Sequence, residues 1–528
     1  MVWAVSFISL LVLLEPSVRY LRGSHFSMFK VICYHIIKLV LLKPITIMKK
    51  SIILLLLLMI ASSVDAKELE NDKYRRNSLC LGYIIEGLQT ESEAALVVEA
   101  LKNYQISDKF NDHSIGWMVI NPSEIKLSRE DEAVPIKRHT EPIKLGGLWA
   151  AGQQSAAEFK AENREYTDRF ETTPKKLIKF AKQNHLANFM VAKWFNPSKE
   201  KKDGSLFNMD IIQERGAYNA SELEKLRSKE AVRGMAILKD AGMDLIPNTY
   251  LAFVRLKYMS AQDHYNRTAD RWDNSGISIK TEDGKSANPL ELISLAKRKS
   301  GEQQAGYYID ATIYLFKLIW DESSENDFIQ KYWEISDLNT FINEANYSLE
   351  FLDSQTSQAR IKAKTGISTK DENGLKLIKA ATYRAIDNGL ARLQKKYPNF
   401  AVMAPVIDID QKSISAFVGL KEGISKGDKY EIYEKIYNEE KNTYRYKKVG
   451  TVEVDKKRVW DNRYDLDGNY VGRSDNSTKI QLTKDSGREV TIDTGEDKTK
   501  ANPDVDRTFF IGNVSDVAPG MLIKQKGK

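Results

Sequence analysis

Residues 419–433 read Gly-Leu-Lys-Glu-Gly-Ile-Ser-Lys-Gly-Asp-Lys-Tyr-Glu-Ile-Tyr. Three glycines, Gly419, Gly423 and Gly427, stand four apart, and after Asp428 large apolar side chains alternate with charged ones. Glycine reaches positive φ without a Cβ clash, so this spacing predicts tight reversals. Period-two alternation of aromatic and β-branched residues predicts the strand that follows. The texture returns at Val449-Gly450-Thr451-Val452-Glu453-Val454, and at Val517-Ala518-Pro519-Gly520-Met521-Leu522-Ile523. Strands are expected at 401–409, 413–418, 429–437, 444–454, 507–513 and 521–525. Together they predict a small barrel-like β domain over residues 401–528. Residues 462–506, rich in Asp, Gly, Ser and Lys, read as a flexible insertion within it.

Working back from that domain, the pattern changes from period two to period 3.6. Leu375, Ile378, Ala381, Ala385, Ile386, Leu390 and Leu393 share one stripe of a helix over 374–395, and Pro398 closes it. That helix dominates a helical connector, 336–400. Residues 306–320 carry Tyr307, Tyr308, Ile309, Thr312, Ile313, Tyr314 and Phe316 and read as a long strand. A polar insertion, 260–305, is expected to hold one short helix at 290–297. Further back come a strand at 244–258, a helix at 221–241 with a Ser221/Glu224 capping box, a strand at 188–195, and helices at 174–185 and 150–170. These predict an α/β domain over 148–335, a mixed sheet with helices on one face. Residues 67–147 predict a smaller α/β domain and linker: a strand at 79–85, a helix at 91–104, a polar loop at 108–113 and a strand at 117–120. The fold class is therefore α+β multidomain: N-terminal α/β units with a mixed sheet, a long amphipathic helix, and a small C-terminal β domain.

The run from Gly419 to Tyr433, with Gly450 and Gly520, resembles the C-terminal domain of the flagellar outer-membrane ring protein T family. The family pattern is a Gly-x-x-x-Gly-Ile-x-x-Gly-Asp turn feeding a Phe/Tyr-Glu-Val-Tyr strand, then a Gly-x-Ile/Val-x-Val strand and a late Gly-Asp turn. Related modules occur among CsgG-like curli-secretion and TolB-like envelope proteins. The 462–506 insertion departs from the pattern, and Gly520-Met521 stands where the second Gly-Asp is usual. The strings Asp108–His113 and Ala192-Lys193-Trp194-Phe195-Asn196 are similar to secreted proteins of the Bacteroidetes envelope. The resemblance implies an envelope scaffold and brings no catalytic residues with it.

The first 66 residues point to export. Lys49-Lys50 precede an apolar core at 52–60, and Val64-Asp65-Ala66 supplies short side chains for cleavage after Ala66. That core is too short for a membrane-spanning helix. A signal peptide over 48–66 makes residues 1–47 an upstream extension read from an earlier start codon. The competing reading is a membrane hairpin built from the apolar runs at 3–14 and 29–42. Residues 1–66 carry seven Lys/Arg and two Asp/Glu, so the formal +7 of the chain falls to +2 beyond Ala66. A balanced surface gives no field for nucleic acid.

Chemistry was sought by spacing. His113, His139, His185 and His264 lie too far apart for a ligand motif, and Cys80 alone follows the leader, so neither a metal nor a cofactor is expected. Asp108, Asp112 and His113 form a small constellation that is read as a capped turn. Asp408 and Asp410 share one face of a strand and are read as a charged outer face. The expectation is an exported, periplasm-facing or outer-membrane-associated protein of non-enzymatic type, an assembly, accessory or scaffold module with a protein partner or self-assembly. Two alternatives stand beside it: a glycan- or peptidoglycan-binding protein using the aromatics of 306–320, and a secreted hydrolase with an acidic site at Asp108–His113 or Asp408/Asp410.

Overall fold

The computed structural model describes residues 74–136, 164–197, 206–219, 234–273, 279–280, 286–287, 290–302, 306–363, 372–410, 412–438, 443–463, 492–493 and 505–526. The leader with Ala66, the capping pair Ser221/Glu224, and His139 lie outside them. Among the described residues no helix is long and apolar enough to cross a membrane.

The N-terminal elements are β1 (Asn77–Glu86), α1 (Glu91–Asn103), β2 (Phe110–Asp112), α2 (Arg129–Ala133), α3 (Thr173–Gln183), α4 (Leu186–Trp194), α5 (Asp210–Asn219) and α6 (Gly234–Met243). Then come β3 (Thr249–Ser260), α7 (Ala261–Asp273), β4 (Ile279–Lys280), β5 (Ser286–Ala287), α8 (Glu291–Glu302), β6 (Gly306–Leu318), α9 (Glu322–Asp327), α10 (Leu338–Glu344), β7 (Leu349–Ala363) and α11 (Glu372–Lys396). The C-terminal elements are β8 (Met403–Pro405), β9 (Asp408–Asp410), β10 (Ser413–Ala416), β11 (Lys429–Asn438), β12 (Thr443–Val454), β13 (Ile492–Asp493), β14 (Thr508–Gly512) and β15 (Leu522–Gln525). The fold is α+β, as expected.

The larger sheet runs β13-β7-β6-β3-β1-β2. β1 pairs in parallel with β2 and β3, while β3–β6 and β6–β7 are antiparallel. Thr90 starts α1 with a capping box: its hydroxyl accepts from Glu93 N, and the Glu93 carboxylate accepts from Thr90 N. The apolar stripe of α11 (Ile378, Ala381, Ala385, Leu393) and Val97 and Leu101 of α1 cover one sheet face over Leu79, Tyr83, Val254 and Ile313. On the other face Leu177 of α3 and Leu186 and Met190 of α4 pack on Cys80, Phe253, Tyr314 and Phe316. Helices therefore cover both faces, not one, which is why the central strands are apolar on both sides.

Five further expectations are corrected. The apolar run at 188–195 forms a helix, not a strand. It lies between the sheet and an aromatic cluster in which Phe195 stacks on Phe328 with centroids 3.8 Å apart, so all but Phe189 and Lys193 are buried, and its one exposed position is itself apolar, which hides the helical period. The expected strand at 117–120 shrinks to a single bridge, Tyr83–Val119, while the expected loop at 108–113 supplies β2. The 336–400 stretch holds a fifteen-residue strand, β7, whose buried positions include Asp353, Ser354, Gln355 and Ser357 and so mask the alternation. Because β1, β3, β6 and β7 share one sheet, the stretches 67–147, 148–335 and 336–400 build one layered core together. The 260–305 insertion contains two helices, α7 and α8, and a short β4–β5 hairpin.

The second sheet is wholly antiparallel and curled, in the order β8-β15-β11-β12-β14-β10-β9. Its two edge strands are halves of one bent segment. Val406 N donates to Met521 O at 2.7 Å on one side, and Ile407 N to Ser415 O at 2.9 Å on the other. Ile414, Ile432, Val452, Phe510 and Ile523 fill its interior. Trp460, Asp461, Asn462 and Arg463 are buried, so the expected insertion at 462–506 starts later than its composition implied. Both sheets belong to the same compact unit.

Candidate functional site

The glycine run forms the junction between α11 and the curled sheet. Leu420–Glu422 make one 3-10 turn, and Gly423 ends it at φ +77°. A Cβ on Gly423 would lie 2.4 Å from the Ala391 Cβ of α11, so this glycine allows both the reversal and the close approach. Gly427 and Gly520 also take positive φ, +80° and +87°. Gly419 is extended (φ −147°) and abuts Asn462, and Gly450 lies inside β12 without a positive φ. Asp428 knits the turn: its Oδ2 accepts from Ser425 N at 2.9 Å, Gln525 Nε2 at 2.7 Å and Lys395 Nζ at 3.2 Å.

On one side of this turn lies a closed polar knot. The Glu422 carboxylate accepts from Ser107 Oγ at 2.6 Å, Gly419 N at 2.7 Å and Asn462 Nδ2 at 2.7 Å. Lys421 Nζ donates to Gln105 O at 2.6 Å and sits 5.0 Å from the centre of the Tyr104 ring. Tyr104 OH donates to Asp387 Oδ1 at 2.7 Å. Burial pushes the Glu422 carboxyl up and the Lys421 ammonium down from their ordinary values. These groups tie the loop after α1 to the β domain.

On the other side lies a cleft of about 210 Å3 between α11 and the turn, lined in part by Arg384, Asn388, Arg392, Lys395, Gly423 and Arg463. Positions 384, 388, 392 and 395 fall on one face of α11 because residues three and four apart stack on a helix. Two of the four cations have carboxylate partners: Lys395 with Asp428, and Arg463 with Asp461 through two 2.8 Å bonds. Arg392 Nη1 donates to Thr356 O at 2.6 Å, and Arg384 Nη1 is buried with no hydrogen-bond partner. Neither guanidinium has a carboxylate partner among the described residues. A wider trough of about 980 Å3 beside β9 is lined by Asp410, Lys412, Glu453 and Ile511 and mixes both signs of charge.

The residues singled out from sequence are not brought into a catalytic arrangement. His113 is fully buried. Its Nε2–H donates to Met190 O at 2.9 Å, and its Nδ1 accepts from Arg215 Nη1 at 2.7 Å. Burial, then the Arg215 charge, holds this imidazole well below its ordinary pKa, so it is a neutral strut. Arg215, itself buried, also donates to Ser78 Oγ and Asp112 O and lies 4.4 Å from the Trp194 ring centre. Asp112 turns its carboxylate to Ser114 N, and Asp108 pairs with Lys109. Asp408 and Asp410 are exposed on the edge strand β9. Tyr307, Tyr314 and Phe316 are core residues, so these three present no platform to a glycan. Cys80 is buried, and burial pushes its thiol up to about 12. Among the described residues no group of three or more His, Cys, Asp or Glu is placed to hold a metal ion.

Sequence reasoning missed Arg384, Arg392 and Arg215. The available signal was the basic face of α11, Arg384-x7-Arg392-x2-Lys395, opposite its apolar stripe. It missed the α7–α8 hairpin as well. The hairpin is held by Arg298, which pairs with Asp270 at 2.8 Å and with Asp273, and by Ser294, which donates to Asp273. Leu292, Ile293 and Leu295 of α8 remain 79%, 44% and 61% exposed. No family model matches the chain, and no curated protein matches it.

Proposed function

We propose that the chain is an exported cell-envelope protein that works by assembly, docking a protein partner through the α7–α8 hairpin. The observation that carries this reading is the exposed Leu292-Ile293-x-Leu295 face of α8. Clustered exposed aliphatic side chains mark interaction surfaces, because water contact with them is relieved only by a partner. The hairpin joins β3 to β6, the antiparallel pair at the heart of the larger sheet, so a load on it is passed to a rigid layer. The signal-peptide pattern ending at Ala66 and the balanced charge beyond it support the envelope setting.

The test is the native size of the protein after gentle detergent extraction of an outer-membrane fraction. A large, discrete complex is expected for the parent, and a shift to the monomer for the double variant L292E/L295E with unchanged circular dichroism. A soluble monomer absent from that fraction sinks the proposal. A complex that survives the double variant moves the interface elsewhere.

A further inference from the structure

We infer that the cleft between α11 and the glycine turn binds a phosphate dianion, as free phosphate or as the phosphomonoester of a larger molecule. Three observations converge on it. First, four cationic side chains, Arg384, Arg392, Lys395 and Arg463, line a cavity of about 210 Å3, which is the scale of one phosphate group and its immediate surroundings. Second, the compensation is incomplete. Asp428 and Asp461 answer Lys395 and Arg463, and among the described residues no carboxylate answers Arg384 or Arg392. Two uncompensated guanidiniums match a ligand of charge −2 better than a monoanionic carboxylate. Third, Arg384 Nη1 is buried with no hydrogen-bond partner. A desolvated guanidinium donor without an acceptor is costly, and a tetrahedral oxyanion supplies acceptors in the planar, forked geometry that Arg favours.

The cleft is also built, not incidental. Gly423 brings the turn against Ala391 so closely that a side chain there would hold the two walls apart. Asp428 fixes Lys395 on the same wall and bonds the turn to Gln525 of β15. The ligand would therefore sit where the long helix of the layered half meets the curled sheet and would bridge the two. This inference does not depend on the α8 docking reading.

The experiment is calorimetric titration of the purified full chain with inorganic phosphate, with sodium chloride at matched ionic strength and sodium acetate as comparisons. Saturable phosphate binding is expected, weakened about tenfold or more by R384Q and by R392Q. Arg392 is exposed, so R392Q tests the site even if R384Q folds poorly. Thermal melts of both variants without phosphate show whether a loss of binding is a loss of fold. Phosphate binding no stronger than acetate binding, or undiminished in both variants, overturns the inference. Flotation with phosphatidylcholine vesicles containing or lacking phosphatidic acid separates the sources. Recruitment to phosphatidic acid that free phosphate competes away assigns a lipid headgroup, and phosphate binding without recruitment assigns a soluble ligand. Both outcomes uphold the site.

Discussion

Glu422 lies within the ten-residue turn 419–428 and Arg384 borders it, and their surroundings treat them differently. Glu422 is buried and accepts three hydrogen bonds from three separate parts of the chain. Arg384 Nη1 is buried with no hydrogen-bond partner among the described residues. A buried charge whose lone pairs are all answered is part of the structure, and removing it strands its donors. A buried donor left unanswered costs the fold and remains available to a ligand. The difference separates architecture from function more sharply than residue type does.

The largest effect is expected at the satisfied side. Glu422→Ala leaves Ser107, Gly419 N and Asn462 without their acceptor and should cost about 3 kcal/mol or more. Glu422→Gln can keep an oxygen toward Gly419 and Asn462 and donate to Ser107, so it should cost under about 1 kcal/mol. Urea unfolding of both variants measures this. An Ala variant as mild as the Gln variant would show that the knot is decoration. Burial raises the Glu422 pKa above 4.5, so just above that value the native state holds a proton the unfolded chain has released. Stability should then fall as pH rises from 4.5 through the folded pKa, and Glu422→Gln should remove that slope.

The glycines grade the same junction. Gly423→Ala meets both a positive φ and Ala391 and should cost about 2–3 kcal/mol. Gly520 has a similar φ and open space around it, so Gly520→Ala should cost about 1 kcal/mol. Gly450→Ala has neither penalty, with nothing nearer than 3.8 Å, and should be close to neutral. If the three changes cost the same, the close approach to α11 is not what Gly423 supplies.

The pH response sets a second buried titratable group, the neutral His113 beside Arg215, against Glu422. The imidazole is held well below 6.5, so below that pH the unfolded chain binds a proton that the native state refuses. Stability should drop as pH falls through 6.5 toward the folded pKa, by up to about 1.4 kcal/mol per pH unit. His113→Gln, which keeps a donor for Met190 and an acceptor for Arg215, should flatten this limb and leave the Glu422 limb unchanged. Chemical unfolding across pH 4.5–8 reads both slopes. The smallest effect is expected for Arg384→Gln in the absence of ligand, within about 0.5 kcal/mol of the parent by thermal melt.

Much of this fold is legible in the sequence where one face is wet. The stripe of α11 and the alternation of β11 and β12 each report a half-buried element, and their bounds are close to those read from the pattern. Legibility fails where burial is two-sided or polar. The one exposed position of α4, Phe189, is apolar and so creates no period, and β7 hides behind Asp353 and Ser357, whose partners are remote in sequence. Lys396 and Tyr397 answer Asp353, and Ser357 donates to Ala385 O. The phosphate cleft is harder still to read. Its basic stripe lies on the face of α11 that pattern analysis assigns to solvent, and its fourth cation, Arg463, comes from the start of a stretch whose composition reads as flexible. The turn that brings them together was legible as a turn, but not as a wall.

The bent segment at residues 403–410 has a consequence for how this protein can assemble. A sheet with two long end strands invites another chain to extend it, whereas here the sheet ends on either side in one three-residue strand, Met403–Pro405 or Asp408–Asp410. Pro405 offers no N–H, and Asp408 and Asp410 place negative charge along the other edge. Asp408 and Asp410, read from sequence as a charged outer face, thus act as guards against strand capture. At these two ends the curled sheet resists growth by adding strands, and a chain that extends it would have to pair with the β11–β12 hairpin where it runs past β15 and β14.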